Sequence, residues 1–497
     1  MDAFAKILES GSPVYFIGIK GTGMCALAEL LHGFFGGGAA AAKISGSDTS
    51  DVFYTDAILK ELGIPYYESF DAAHIPEDAA LVIHSAAYSA ESNSEVREAV
   101  KRGLPLLKYT EALGAYSALF EATGIAGVHG KTTTTALAGT LLKKAKLPAQ
   151  VLAGSAVSTF NGRSTLSLGN KYFIAETCEY RNHFLSFHPT SIILTSIESD
   201  HQDFFPTYES IRDAFLAYIR LLPEGGCLIY CADDAGAREA AEIIKGERGD
   251  IHYTEYGRTA QGDYRILSST VENERSLWTL AGFRQTFTLR VPGDHNVLNA
   301  SAALALFFLL VKKERGTLDA ATLDSLALEA ARALEEFRGS KRRSEIVGEV
   351  GGVLFMDDYA HHPSAIKTTL AGLKLFYPSR RIVVSFMSHT YTRTAALLDE
   401  FASAFSDADI LILHKIYASA RENFSGGVHG RTLFERVRAQ HANVIYFEEP
   451  LDAASFLRGT LQEGDICITM GAGDNWQLGK SAYDDFLGGE QREKKNE

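Results

Sequence analysis

Residues 124–135 read Gly-Ile-Ala-Gly-Val-His-Gly-Lys-Thr-Thr-Thr-Thr, and no other segment narrows the possible folds of this chain as far. A glycine-rich turn followed by Lys-Thr needs a strand before it and a helix after it, so that backbone N–H groups converge on phosphate oxygens. Lys131 is then placed to reach the β/γ-phosphates and the Thr132 hydroxyl to hold Mg²⁺. The flanks suit this reading: Ala118-Leu-Phe120 precedes the turn as an apolar run, and Thr135-Ala-Leu-Ala-Gly-Thr-Leu-Leu142 follows as a helical stretch. The glycines stand at 124, 127 and 130, and Ile125 occupies the first position of the general GxxxxGK[ST] pattern. Gly127, His129, Gly130, Lys131, Thr132 and Thr133 are the candidate ATP contacts. The plainer alternative is a glycine-rich turn with an incidental lysine.

At 497 residues the chain exceeds one ordinary hydrophobic core, and its patterning divides into three blocks. The first, residues 1–118, opens with a buried-strand pattern, Val14-Tyr-Phe-Ile17, that runs into a turn with glycines at 18, 21 and 23 and then a helical run. A second strand ends at Asp48 and a third runs through Ala80–Ala86, which together make a Rossmann-like half. The dinucleotide fingerprint GxGxxG is broken by Lys20, so a nucleotide or nucleotide-sugar diphosphate suits the turn better than a nicotinamide cofactor. A dehydrogenase is the alternative at this stage. The second block, 119–336, holds the phosphate loop and strands ending at Glu176 and Ile197, while the third, 337–497, alternates strands and helices of its own. The expected fold is three α/β domains.

Glu176 and His201 each follow a strand and, with Thr132 and ATP oxygens, would suffice for one or two Mg²⁺ ions. A hydrogen-bonding role for His201 is the equal alternative. Glu198, Asp200 and Asp203 crowd the same turn, as a cation site or a solvated acidic loop, and Glu179 could face the cavity of Glu176. Gly293-Asp-His-Asn-Val-Leu-Asn-Ala300 starts a helix on which Asn296 and Asn299 share a face, either to meet an adenine edge or as plain surface polarity. Asp357-Asp-Tyr-Ala-His-His-Pro363 and Ser388-His-Thr-Tyr-Thr-Arg-Thr394 close strands of the third block, where ligands bind, and Arg393 could clamp a carboxylate. Arg342 and Arg343 are a phosphate-reaching pair, a domain clamp or a salt-bridged linker.

A net charge of −14 argues against a nucleic-acid surface. Five scattered cysteines fit buried thiols in a reducing compartment. The opening residues lack a signal-like apolar stretch and no apolar run is expected to reach membrane-spanning length, so the cytoplasm and no membrane partner are expected. The last eight residues read as a frayed tail.

Taken in order, Gly18–Met24, GVHGKTTTT, SIESDHQDFF, GDHNVLNA, DDYAHHP, SHTYTRT, Tyr417–Glu422 and MGAGD (470–474) resemble the Mur ligases of peptidoglycan synthesis over nearly the whole chain. The resemblance implies a UDP-sugar-binding first domain, with Gly18, Gly21, Gly23, Asp48, Ser85 and Glu179 toward the sugar nucleotide. It implies an ATP-binding central domain, with Lys131 and Thr132 at the phosphates, His295, Asn296, Asn299 and Arg343 toward the nucleotide, and Thr132, Glu176 and His201 toward Mg²⁺. It implies a C-terminal domain in which His361 and Arg393 hold the incoming amino acid. The catalytic set is then Lys131, Glu176, His201 and His361. The substrates implied are UDP-N-acetylmuramate, L-alanine and ATP, joined through an acyl phosphate by a monomer or homodimer. The rival is the related ligase that recycles UDP-N-acetylmuramate with a tripeptide. This sequence departs from the family pattern at Lys20, at Cys178 and Arg181 in the Glu176 segment, at Ser344 and at Thr390.

Overall fold

The computed structural model describes residues 2–36, 43–202, 204–418 and 427–493; Asp203, residues 419–422 and the end of the tail lie outside them. Three α/β domains follow one another, as expected. In the first, strands β1 (Val14–Ile17), β2 (Ile44–Ser47), β3 (Tyr66–Tyr67), β4 (Leu81–His84) and β5 (Leu106–Lys108) form a parallel sheet in the order 3-2-1-4-5. The order reverses between β1 and β4, and a doubly wound sheet takes its ligand there, at the strands' carboxyl ends.

The central sheet runs in the order 12-11-10-6-9-7-8 through β6 (Glu121–Ala126), β7 (Ala149–Val157), β8 (Arg163–Ser167), β9 (Tyr172–Glu176), β10 (Ser191–Leu194), β11 (Cys227–Cys231) and β12 (His252–Tyr256). Only β8 is antiparallel to its neighbour. A small antiparallel sheet of β13 (Ile266–Val271), β14 (Ser276–Leu280) and β15 (Thr286–Leu289) follows. The helix Lys131–Ala145 packs on the helix Asp294–Arg315. The latter corrects the expectation that no apolar run reaches membrane-spanning length: its most apolar window has a mean hydropathy of 1.4, but 78% of that window is buried inside the protein. It is a core helix by environment.

The third domain orders its sheet 16-17-21-18-19-20, with β16 (Glu345–Val350), β17 (Val353–Asp358), β18 (Arg381–Met387), β19 (Ile410–Leu413), β20 (Val444–Tyr446) and β21 (Asp465–Gly471). Its apolar core is its own, on the two faces of that sheet. By contrast, one continuous core runs through the first and central domains. There the rings of Phe34, Tyr116, Phe120 and Phe173 meet edge-on or tilted, with centroids 4.9 to 6.1 Å apart.

One expectation about the phosphate loop is corrected. The strand before it is Glu121–Ala126, not Ala118–Phe120, so Gly124 lies inside β6. A Cβ at 124 would come within 1.9 Å of the Tyr218 hydroxyl, so this glycine admits a tyrosine from the helix Tyr208–Ile219 and plays no part in the turn.

Candidate active site

The turn after β6 brings Gly127 (φ +137°) and Gly130 (φ +81°) into conformations that L-residues avoid. A Cβ on either would also collide, with Thr195 Oγ1 at 127 and with Asn299 Oδ1 at 130. Gly130 caps the helix Lys131–Ala145, and no side chain caps that end. The N–H groups of its first turn have no intrahelical acceptor, and the helix dipole adds partial positive charge. This is an anion site by construction.

Lys131 folds back over the turn, donating to the Gly127 carbonyl and to both oxygens of Glu179 at 2.9 and 3.2 Å. Burial opposes the charge of Glu179, but Lys131 and His201 outweigh it and hold the carboxyl below its ordinary value. Burial likewise works against the Lys131 ammonium, and Glu179 with its acidic neighbours raises its pKa in spite of it. Glu179, expected with the nucleotide sugar, therefore lies against the phosphate-loop lysine. The His201 backbone is left-handed (φ +53°), and its Nε2 stands 3.5 Å from Glu179 Oε1. Thr132 Oγ1 donates to Glu176 Oε2 at 2.7 Å. Glu176 ends β9 and lies over Gly154, where any Cβ would meet its carboxylate.

Two chambers flank this loop. One, of about 270 Å³, lies between the first and central domains and is lined by Thr22, Gly23, Tyr109, Glu176 and Cys178. It connects the glycine turn of the first domain with the carboxylate that holds Thr132. Cys178 is exposed, unlike the other four cysteines, which corrects the expectation of buried thiols throughout. At the head of that turn Gly18 is left-handed (φ +85°), a Cβ there would strike Tyr88 and Ser85, and a Cβ on Gly23 would strike Tyr109. The Gly21 N–H returns to the Gly18 carbonyl at 3.2 Å. The Asp48 carboxylate is held by the backbone N–H groups of Lys20 (2.7 Å) and Thr49 (2.8 Å).

The other chamber, of about 320 Å³, lies between the central and C-terminal domains. His129, Gly130 and Thr133 of the loop, His295, Asn296 and Asn299 of the core helix, and Arg343 and Asp358 of the third domain all line it. Asn296 donates to the Pro292 carbonyl (2.7 Å) and Asn299 to Asn296 (3.2 Å), so the amides are oriented in advance. Among the described residues the buried Nδ1 of His295 finds no partner, and burial lowers its pKa, leaving a neutral ring facing the chamber. Arg343 lies over the Tyr359 ring at 5.3 Å, while Arg342 is spent inside its own domain on Asp357 and the carbonyls of Gly471 and Gly473.

Polar contacts close the seam between those two domains. Arg393 donates through Nε (3.1 Å) and a terminal nitrogen (2.7 Å) to Asp200 Oδ1, with both residues buried. Burial opposes the Asp200 charge, but Arg393 and His201 drive its carboxyl far below the usual range. Glu198 meets His129, accepts from Ser364 Oγ at 3.0 Å and lies 3.6 Å from His362 Nδ1. Glu198 and Asp200 are thus each paired across the seam and are not the solvated acids of a free loop; Glu198 with His129 and His362 also brings ligand atoms within 4.8 Å of one another, as a cation site would need. Nothing in the local spacing of either residue signals its partner. His361 places Nδ1 2.7 Å from the Tyr359 carbonyl. Burial, then the Arg393 charge, push its pKa well below the ordinary histidine value, so the ring is neutral. Nδ1–H donates to that carbonyl and Nε2 is left as an acceptor.

A phosphate loop with two chambers on either side, each shared with another domain, defines an ATP-dependent enzyme that brings two further substrates to one triphosphate. The chain belongs to the Mur ligase family: it matches the family's catalytic domain over residues 13–121, the Mur ligase middle domain over 125–307 and the Mur ligase glutamate ligase domain over 342–473. It is 51% identical over 477 residues to the UDP-N-acetylmuramate–L-alanine ligase of Treponema pallidum (strain Nichols), covering 96% of this chain and 97% of that one. It is 39% identical over 468 residues to the enzyme of the same name from Borreliella burgdorferi, covering 94% and 97%. Among solved structures it is similar in fold to the UDP-N-acetylmuramate-alanine ligase MurC of Thermotoga maritima, with a TM-score of 0.72 at 24% identity over 96% of this chain and 100% of that one.

Proposed function

We propose that this chain is a UDP-N-acetylmuramate–L-alanine ligase: it uses ATP to join L-alanine to the lactyl carboxylate of UDP-N-acetylmuramate. The observation that carries the reading is the chamber lined by Gly23 and Glu176, which runs from the diphosphate turn to the carboxylate that accepts from Thr132 of the phosphate loop and so brings a UDP-linked carboxylate toward the γ-phosphate. The carboxylate attacks that phosphate to give an acyl phosphate and ADP. Two anions must meet for this, and Lys131 with the N–H groups of the helix start supplies positive charge along the line of attack. The Thr132 hydroxyl and the Glu176 carboxylate, already 2.7 Å apart, are a hard oxygen donor pair that fits Mg²⁺, while His201 stands on Glu179, 3.5 Å away. Bound there, Mg²⁺ supplies charge neutralisation of the phosphates.

The amine of L-alanine then attacks the acyl phosphate and phosphate leaves, forming the amide. The neutral Nε2 of His361 is the acceptor for the amine proton, and Arg393, held in plane by Asp200, faces the amino acid's carboxylate with it. His295, Asn296, Asn299 and Arg343 hold the adenine nucleotide in the second chamber; Gly18, Gly21, Gly23, Asp48 and Ser85 hold the UDP end.

The test is phosphate release from ATP with UDP-N-acetylmuramate and L-alanine, each omitted in turn, then with a tripeptide in place of alanine. Release that depends on both the sugar nucleotide and alanine is expected, with Lys131→Met lowering turnover by about a thousandfold or more. Preference for the tripeptide would reassign the chain to the recycling activity.

A further inference from the structure

Lys20 has no part in the chemistry above, yet it is among the largest fully buried side chains, 0% exposed. Its ammonium donates to the carbonyls of Thr49 (3.0 Å) and Asp51 (3.1 Å) and to Glu68 Oε1 (3.0 Å), and lies 3.2 Å from Asp56 Oδ1. The backbone beside it is tied as well: its N–H donates to Asp48, and its carbonyl accepts from Thr55 Oγ1 at 2.5 Å. Asp56 in turn accepts from the Phe53 N–H and the Tyr66 hydroxyl, each at 2.7 Å. A buried ammonium is tolerated only when so fully paired. Burial disfavours the charge, but Glu68 and Asp56 raise its pKa above the ordinary lysine value, so it stays charged.

These contacts fasten three chain segments that do not otherwise share a strand: the turn after β1, the loop 48–56 after β2, and Glu68 just past β3. All three lie at the carboxyl ends of the sheet, and the turn after β1 stands where its strand order reverses. The tip of the fastened loop exposes Val52 (93%), Phe53 (39%) and Tyr54 (62%), and the Tyr54 hydroxyl donates to Thr22 Oγ1 at 3.1 Å, between Gly21 and Gly23. An apolar, aromatic tip tied to a diphosphate turn is a surface for a nucleoside base.

We propose that Lys20 is a positioning residue for the nucleoside diphosphate end of the sugar nucleotide: it locks the loop 48–56 against the turn, so that Asp48 and the tip Val52-Phe53-Tyr54 stand preformed. The inference rests on the reading of the first domain as the nucleotide-sugar site. Without the ammonium, Asp56 and Glu68 face each other and two loop carbonyls lose their donor, so the ligand itself must order the loop.

The experiment measures UDP binding by calorimetry, and steady-state kinetics with UDP-N-acetylmuramate, on full-length wild type, Lys20→Met and Glu68→Gln. For Lys20→Met the expected result is a rise of tenfold or more in the Kd for UDP and in the KM for the sugar nucleotide. KM for ATP and for alanine, and kcat, stay within twofold. Glu68 is largely exposed, so Glu68→Gln folds without difficulty and raises the UDP Kd by two- to fivefold. Unchanged UDP affinity in Lys20→Met, or in Glu68→Gln should the first variant not fold, overturns the proposal, as does a fall in kcat with all three KM values moving together. Failure of the wild type to bind UDP overturns the reading of the domain, and the inference with it.

Discussion

The seam between the first and central domains and the seam between the central and C-terminal domains are built from opposite materials. The first is an extension of one hydrophobic core, sealed by Phe34, Tyr116, Phe120 and Phe173, with Arg163 of the central sheet reaching Glu29 and Glu61 at its rim. The second rests on side-chain pairs, Arg393 on Asp200 and Ser364 on Glu198, with Val271 packed on the edge of the third domain's core. Opening an apolar seam exposes its whole buried area to water, at roughly 25 cal/mol per Å². Opening the polar one exchanges a few strong contacts for hydration, at a much smaller net cost. On the proposed function, the difference gives the two seams different duties: the first would fix the sugar nucleotide relative to the phosphate loop, and the second would be the side through which ATP and the amino acid enter and leave.

Breaking each seam separately tests that division. The largest effect belongs to the apolar side: Tyr116→Ala removes a fully buried ring and its hydrogen bond to Gln150, and is expected to cost about 3–5 kcal/mol in denaturant unfolding. The folded fraction should keep near-normal turnover. On the polar side, Asp200→Asn leaves the Arg393 guanidinium buried without its counter-charge. A thirtyfold loss of kcat/KM for alanine, about 2 kcal/mol, is expected in the phosphate-release assay, with UDP binding unchanged. A variant at Asp200 that lost UDP binding as well would erase the contrast.

The smallest effect lies inside the third domain and is read by pH. His414, buried in the third domain with Nδ1 3.1 Å from the Phe447 carbonyl, has its pKa lowered to about 4, chiefly by burial. Its folded pKa lies below the unfolded value of about 6.5, so the unfolded chain binds the proton more readily between those values. Stability is then complete above about pH 6.5 and falls as the pH is lowered through the window toward 4. Acidification from pH 7 to 5.5 should cost about 1 kcal/mol from this residue alone, and His414→Gln should flatten that slope in calorimetry. Asp200 acts in the same sense but later: with a depressed carboxyl it stabilises the seam above the ordinary carboxylate range and yields only in stronger acid.

What the sequence made legible was what is local. The phosphate loop, the glycine turn of the first domain and the strand ends carrying Glu176 and Asp358 declare themselves within a few residues, because backbone geometry and chemistry demand neighbours there. Two things were not legible. Gly124 read as part of the turn because a packing glycine and a turn glycine look alike until Tyr218 is seen against one of them. Glu198 and Asp200 read as an acidic loop because their partners, Ser364 and Arg393, lie 166 and 193 residues away, and pairing across a seam leaves no periodicity behind.

Two cations of the cleft come already wed. Lys131 is bound to Glu179 and Arg393 to Asp200, so neither offers a bare positive charge to a triphosphate or an amino acid's carboxylate, whereas Arg343 of the second chamber lies over the Tyr359 ring. Ligand capture at these two residues is therefore a competition with a resident carboxylate that stays tethered beside the newcomer. Selectivity is set by how well an incoming oxygen competes with a resident carboxylate for the same N–H. Because the displaced carboxylate cannot leave, capture adds negative charge to the site, and the partial positive charge of the helix start has to offset it.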